Sequence, residues 1–172
     1  EHDFFAQILR QNDVEVLELE DLLIQAISEE DIKKQFLNEF FKESGILTSY
    51  LKESLTEYLI SKNPKDMIEN IFAGIKKKDL IIKDTSISAQ LISNSSFFYT
   101  DPIPGAYFTR DPATCIGNGI SINFMTSNAR KREALLLKYI YLYNKTFKND
   151  KSPLWYSSNG PYNIEEIGRA HV

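Results

Sequence analysis

The stretch Pro102-Ile-Pro-Gly-Ala-Tyr-Phe-Thr-Arg-Asp-Pro-Ala-Thr-Cys-Ile-Gly-Asn-Gly-Ile-Ser-Ile-Asn-Phe-Met-Thr-Ser-Asn-Ala-Arg-Lys-Arg-Glu133 carries a succession of structural signals. Ala106 to Thr109, with Tyr107 and Phe108 at its centre, reads as a strand. Asp111-Pro112 ends it, because Pro112 fixes its own φ and pushes Asp111 towards extended geometry. Asn118-Gly119 is a hairpin signal between Thr114-Cys115-Ile116 and the run Ile120, Ile122, Phe124. Those three alternate with Ser121 and Asn123, which predicts one buried face. Ser127-Asn128 can then cap a helix carrying Leu136, Ile140 and Tyr143 along one side.

The same stretch contains the residues best suited to chemistry. A carboxylate at the end of a strand, held by a rigid turn, suits gripping a planar cation through two parallel hydrogen bonds. Asp111 has that placement, although a turn aspartate that caps its own backbone would look identical in sequence. Arg130 stands where a helix begins, an electrostatically poor place for a cation. A ligand or a surface ion pair would equally account for it. Phe108 on its own reads as core, and Glu165 as a solvated strand residue.

Outward from this stretch, the upstream chain is mostly helical. Residues 3 to 10 read as a helix with Phe4, Phe5, Ile8 and Leu9 in an amphipathic pattern. Asp13 turns into a short strand, Val14 to Leu19. From Leu22 to about Lys78 the period is helical again. Ser28 with Asp31 approximates a capping box ahead of Ile32, Phe36 and Phe40. Gly45 breaks that stripe, and Leu47, Leu51, Leu55, Tyr58 and Leu59 form another. Asn63-Pro64 is a cap followed by a first helical position, leading into Met67, Ile68, Ile71 and Phe72. Lys76, Lys77 and Lys78 read as a solvated helix end. Residues 84–96 read as a loop or weak strand, and Phe97-Phe98-Tyr99 as a short β segment. After the helix that carries Leu136, Ile140 and Tyr143, Pro153 and Asn159-Gly160-Pro161 mark a loop before Tyr162 re-enters a strand.

Composition excludes several function classes. Apolar residues make up 42% and charged residues 26%, which rules out general disorder. The net charge of −4, with both signs interspersed, leaves no nucleic-acid footprint. No apolar run approaches the length of a membrane span, and no signal-peptide pattern is visible, so a cytoplasmic location is expected. A single cysteine excludes an internal disulfide and fits a reducing compartment. No Cys/His cluster or phosphate-binding loop occurs, so neither a metal nor an organic cofactor is implied.

The Phe-Thr-Arg-Asp turn, the Gly-Asn-Gly hairpin and the Ala-Arg-x-Arg-Glu helix start, at these spacings, closely resemble the arginine deiminases of the guanidino-group-modifying, or pentein, superfamily. The likeness extends upstream through Ala73-Gly74-Ile75 and Glu1-His2, and downstream to Tyr162-Asn163-Ile164-Glu165. It implies a partial five-bladed α/β propeller of ββαβ units with an inserted helical bundle. Residues 1–20 would end the first propeller unit, 21–88 would be the helical insert, and 89–165 would form most of the second unit. Ile167-Gly-Arg-Ala-His-Val172 is also the translation of ATCGGAAGAGCACACGTC, a common sequencing-adapter string. Residues 166–172 are therefore read as adapter read-through, with a genuine hydrophilic tail as the alternative. Both ends are read as interruptions of a longer chain, an N-terminal-half fragment.

The resemblance also implies a function: hydrolysis of L-arginine to L-citrulline and ammonia through a covalent cysteine intermediate. It places Asp111 on a guanidinium-binding aspartate and Glu165 on a proton-transferring glutamate. Arg130 falls on the arginine that pairs with the substrate's α-carboxylate, and Phe108 on the apolar wall beside the guanidinium. Gly105 departs from the pattern, since many members carry Asn there, and this bears on how the α-amino end is held. The nucleophile comes from a distant C-terminal segment in that family, so Cys115 is expected to be a packing residue and the chain alone inactive. L-arginine is the expected small-molecule partner, with no nucleic acid, no membrane, and room for a homo-oligomer of the full-length protein. The alternatives are another guanidino-modifying enzyme, such as one acting on agmatine or a methylated arginine, and a non-catalytic member of the same fold.

Overall fold

A computed structural model describes residues 2–82, 96–125, 127, 129–149 and 152–157. The expected loop over 84–96 (apart from Ser96), the strand at Tyr162, Glu165 and the tail 166–172 lie outside the described residues. Five helices open the chain: α1 (His2–Gln11), α2 (Leu19–Ala26), α3 (Glu30–Glu43), α4 (Ser49–Ile60) and α5 (Pro64–Ala73). All but α2 form on the apolar stripes of the sequence, and the ends of α3 and α5 show why they stop and start there. Gly45, at φ 78°, lets the Ile46 and Gly45 N–H groups bond back to Phe41 and Lys42, a Schellman closure of α3. Asn63 accepts the Asp66 N–H at 2.9 Å, and Pro64 occupies the first helical position of α5.

Several sequence expectations give way here. The strand expected over Val14–Leu19 is absent: Asp13 at φ 59° closes α1 by the same bonding pattern, and α2 begins at Leu19. No capping box forms at Ser28; Glu29 is the cap of α3 and offers no side-chain bond, while Glu30 and Asp31 complement the helix dipole. The Lys76–Lys78 run is not a helix end. Gly74, at φ 78°, stops α5 early, and a Cβ there would lie 2.6 Å from the Thr100 carbonyl oxygen. The chain instead forms β1 (Ile75–Lys76), paired antiparallel with β2 (Phe98–Thr100).

The decisive stretch is turn-rich. A 3-10 turn over Pro104–Tyr107 replaces the expected strand at Ala106–Thr109, because Pro104-Gly105 favours a tight turn and Tyr107 and Phe108 have no face to bury. The hairpin forms as β3 (Ala113–Ile116) and β4 (Gly119–Ile122). Its turn is Gly117-Asn118 rather than Asn118-Gly119, with Gly117 at φ 59° in the first central position of a II′-like turn. Gly119 is needed for closeness: a Cβ on it would meet the Pro153 carbonyl oxygen at 2.4 Å.

Helix α6 (Lys131–Tyr143) and the short α7 (Lys145–Lys148) lead to β5 (Leu154–Tyr156), which lies parallel to β4. A parallel neighbour requires such a crossover. The order β3, β4, α6, β5 is thus a ββαβ unit whose sheet runs β3-β4-β5. In β4 both Ser121 and Ile122 are buried, as is Asn123 just beyond it, against the one-faced pattern read from sequence.

The main core joins α2–α5 to α6, with Phe36, Phe40, Leu55 and Ile68 in one cluster with Leu136, Tyr139 and Ile140. Phe36 and Tyr139 meet edge to face at 5.1 Å. Lys138 bonds Glu39 at 2.8 Å, and Asn144 donates to the Leu22 carbonyl at 3.0 Å, tying α6 to α3 and α2. The helices before Lys78 and the unit after Phe97 therefore share a core. No helix among the described residues is long and apolar enough to cross a membrane.

Candidate active site

The Asp111-Pro112 turn is positioned from beneath by Asn123. The Asn123 Nδ2 donates to the Asp111 carbonyl at 2.7 Å and to Thr114 Oγ1 at 3.1 Å, while its backbone N–H bonds the Pro112 carbonyl at 2.9 Å. The Ser121 hydroxyl donates to Asn123 Oδ1 at 3.1 Å, so the amide is oriented as well as buried. Two consecutive turn residues are thereby fixed to the middle strand. That anchoring aims the Asp111 carboxylate at the start of α6.

There it meets Arg130, whose Nη1 lies 2.9 Å from Asp111 Oδ2. The turn carboxylate thus faces a guanidinium, the class of group that its placement suggested. Arg130 is fixed from its other side by Glu133. Its Nε donates to Glu133 Oε2 at 3.0 Å and approaches Oε1 at 3.2 Å. Its Nη2 is 2.8 Å from Glu133 Oε2 but badly angled for a hydrogen bond, so that contact is ionic. Hydrogen bonding to Glu133, opposed by partial burial and reinforced by Asp111, raises the Arg130 pKa above its ordinary value. The cation that looked misplaced at a helix start is held there by two carboxylates.

Sequence reasoning brought Asp111 and Arg130 forward, and the structure brings them together. Phe108 is 56% exposed, with its ring edge-on to Tyr107 at 5.2 Å, so it is not core. Cys115 is exposed on β3 rather than packed, correcting its expected role: β3 is an edge strand, and its Cys115 and Ile116 end projects into solvent. Glu133 and Arg132 were missed. The signal was present in Arg-Lys-Arg-Glu, since an acid three residues after an arginine on a helix start lies beside it.

Arg132 turns away from the site. It is buried, donates to the carbonyls of Asp101 and Pro102, and lies over the Phe40 ring. Burial lowers its pKa, against the opposing charges of Asp101 and Glu133. Arg132 thus clamps the segment that leads into the 3-10 turn. Among the described residues, no group of His, Cys, Asp and Glu side chains could hold a metal ion.

Residues 1–167 match a family model described as arginine deiminase. The chain is 46% identical to an arginine deiminase of Limosilactobacillus reuteri over 90% of its own length and 38% of that protein's. It is 38% identical to an arginine deiminase of Bacillus cytotoxicus over 96% of its length and 40% of the relative's. A Lactococcus lactis arginine deiminase is 40% identical over 96% of this chain and 40% of its own. The chain thus spans 38–40% of the length of these curated relatives.

Proposed function

The chain belongs to the arginine deiminase family, and from that premise we propose that the whole protein hydrolyses L-arginine to L-citrulline and ammonia. The observation that carries this reading is the meeting of Asp111 with Arg130 at 2.9 Å. L-arginine offers a guanidinium at one end and a carboxylate at the other. Asp111 suits the first and Arg130 the second, by charge and by planar fork geometry. In the pair seen here each side chain holds a surrogate for what the substrate would supply. Binding exchanges one ion pair for two.

In this reading, Phe108 forms the apolar wall beside the guanidinium, which its exposure permits. Glu165 transfers protons. A thiolate from a segment beyond this chain attacks the guanidinium carbon, ammonia leaves with a proton, and water then cleaves the carbon–sulfur bond to release citrulline and the thiol. The 172-residue chain alone is inactive. The ββαβ unit is one blade of a five-bladed propeller, residues 21–88 are its helical insert, and residues 166–172 are adapter read-through. A cytoplasmic location and a homo-oligomeric whole protein belong to the same reading.

The test is steady-state turnover of arginine and agmatine by a full-length enzyme carrying this chain. Arginine should be strongly preferred, because agmatine has no carboxylate for Arg130. Asp111→Asn should lower kcat/KM for arginine by about a hundredfold or more, since a desolvated cation loses its charged partner. Preference for agmatine would reassign the substrate, and near-normal activity of Asp111→Asn would remove Asp111 from the site.

A further inference from the structure

We propose that Glu133 is the positioning residue for Arg130, and that in this chain its carboxylate uses the space left free at Gly105. The inference deepens the reading of Arg130 as a carboxylate grip and rests on that reading for its link to substrate.

Glu133 stands at the third position of α6, where a glutamate ordinarily reaches back to the backbone N–H of the cap residue. That N–H is already taken, because Arg130 donates it to the Ser127 carbonyl at 2.9 Å. The Glu133 carboxylate bonds the Arg130 side chain instead, at Nε and beside Nη2. Its side chain is only 1% exposed, so it has left water almost completely. A buried carboxylate is tolerated when it is paired and hydrogen-bonded. Here the pairing fixes Arg130 by its inner edge and directs Nη1 towards Asp111. Of Arg130's nitrogens, Nη1 is therefore the one turned to Asp111, while Nη2 keeps a hydrogen-bonding proton unused.

Gly105 makes the arrangement sterically possible. A Cβ at residue 105 would lie 2.0 Å from Glu133 Oε1, 2.8 Å from its Cδ and 3.1 Å from Arg130 Nε. The backbone at Gly105 is not left-handed, so conformation is not what requires glycine. The space is. Residue 105 and the Glu133 carboxylate compete for one volume, and whichever fills it decides how Arg130 is held. The obstacle is the tip of a flexible side chain, so Gly105→Ala should displace Glu133 and leave the fold intact.

Two measurements decide this. On the 172-residue chain, the exchange rate of the Arg130 Nε–H proton with water is read by nitrogen-edited NMR. Gly105→Ala and Glu133→Ala should each speed that exchange about tenfold or more, since the donor loses its buried acceptor. The amide resonances of Phe36 and Leu55 should stay in place. Unchanged exchange in folded Gly105→Ala overturns the proposal, even if Glu133→Ala fails to fold. In a full-length enzyme, both variants should raise KM for arginine while leaving kcat and agmatine turnover near wild type. An equal fall in kcat for both substrates would make Glu133 merely structural. If the wild type does not act on arginine, the functional reading falls while the NMR result still judges the positioning.

Discussion

The helices from α2 to α5 and the stretch from Pro102 to Glu133 hold their shapes by different means. In the first, apolar side chains such as Phe36, Leu55 and Ile68 are fully buried and meet α6 in a shared core. In the second, shape depends on directed polar contacts: Asn123 on the Asp111-Pro112 turn, Glu133 on Arg130, and Arg132 on the Asp101 and Pro102 carbonyls. Burial is tolerant of detail, whereas a hydrogen bond fails when its partner moves by an ångström. The helical part therefore suits a platform, and the turn-rich part suits selecting a ligand. Damage to the first should appear as lost stability, and damage to the second as lost geometry.

The largest stability effect should come from the platform. Phe36 is fully buried and touches both Phe40 and Tyr139. Phe36→Ala should destabilise the chain by about 3–5 kcal/mol, through lost transfer energy and the cavity left behind. Chemical denaturation followed by circular dichroism checks this. A loss below about 1 kcal/mol would mean that the helices do not depend on a common core.

A smaller effect on stability, with a larger one on geometry, is expected at Asn123. Asn123→Ala strips the Asp111 carbonyl and Thr114 hydroxyl of a donor and the Ser121 hydroxyl of an acceptor, at a cost of about 1–3 kcal/mol. The turn should loosen enough to weaken the Asp111–Arg130 pair. Amide exchange around Asp111 should rise while that of α4 does not. Equal acceleration in both regions would show that the turn has no independent support.

This division also accounts for what the sequence could disclose. The stripes of α3, α4 and α5 and the Asn63-Pro64 start were legible, because helical periodicity and caps are local signals. The helix end at Gly74 was not, since it is set by close approach to Thr100, far away in the chain. The sequence of Ala106–Thr109 suggests a strand because its residues are β-forming, whereas Pro104-Gly105 and the exposure of Phe108 decide against it. By alternation Asn123 reads as solvent-facing, because the pattern cannot reveal its buried bonds to Ser121, Thr114 and the Asp111 carbonyl. Asp111 and Arg130 were recognised through a motif. Their contact, and the Glu133 carboxylate behind it, depend on the turn's placement against a helix nineteen residues away, which periodicity does not encode.

The smallest expected effect lies at the start of α5, where platform and turn chemistry meet. Asn63 accepts the Asp66 N–H at 2.9 Å, and its own amide donates to the Asp66 carboxylate at 2.6 Å. Both contacts are solvent-exposed, so water can replace them. Asn63→Ala should therefore cost only about 1 kcal/mol, the usual value for an N-cap. Asn63→Asp should not behave as a simple cap replacement. It restores the acceptor for the Asp66 N–H but sets a second carboxylate beside that of Asp66, where Asn63 now donates. Its melting temperature at neutral pH should fall between those of wild type and Asn63→Ala. An Asn63→Asp variant matching wild type at neutral pH would show that the side-chain bond to Asp66 contributes nothing. The cap's value would then rest on the backbone N–H alone, as it does for an ordinary helix start.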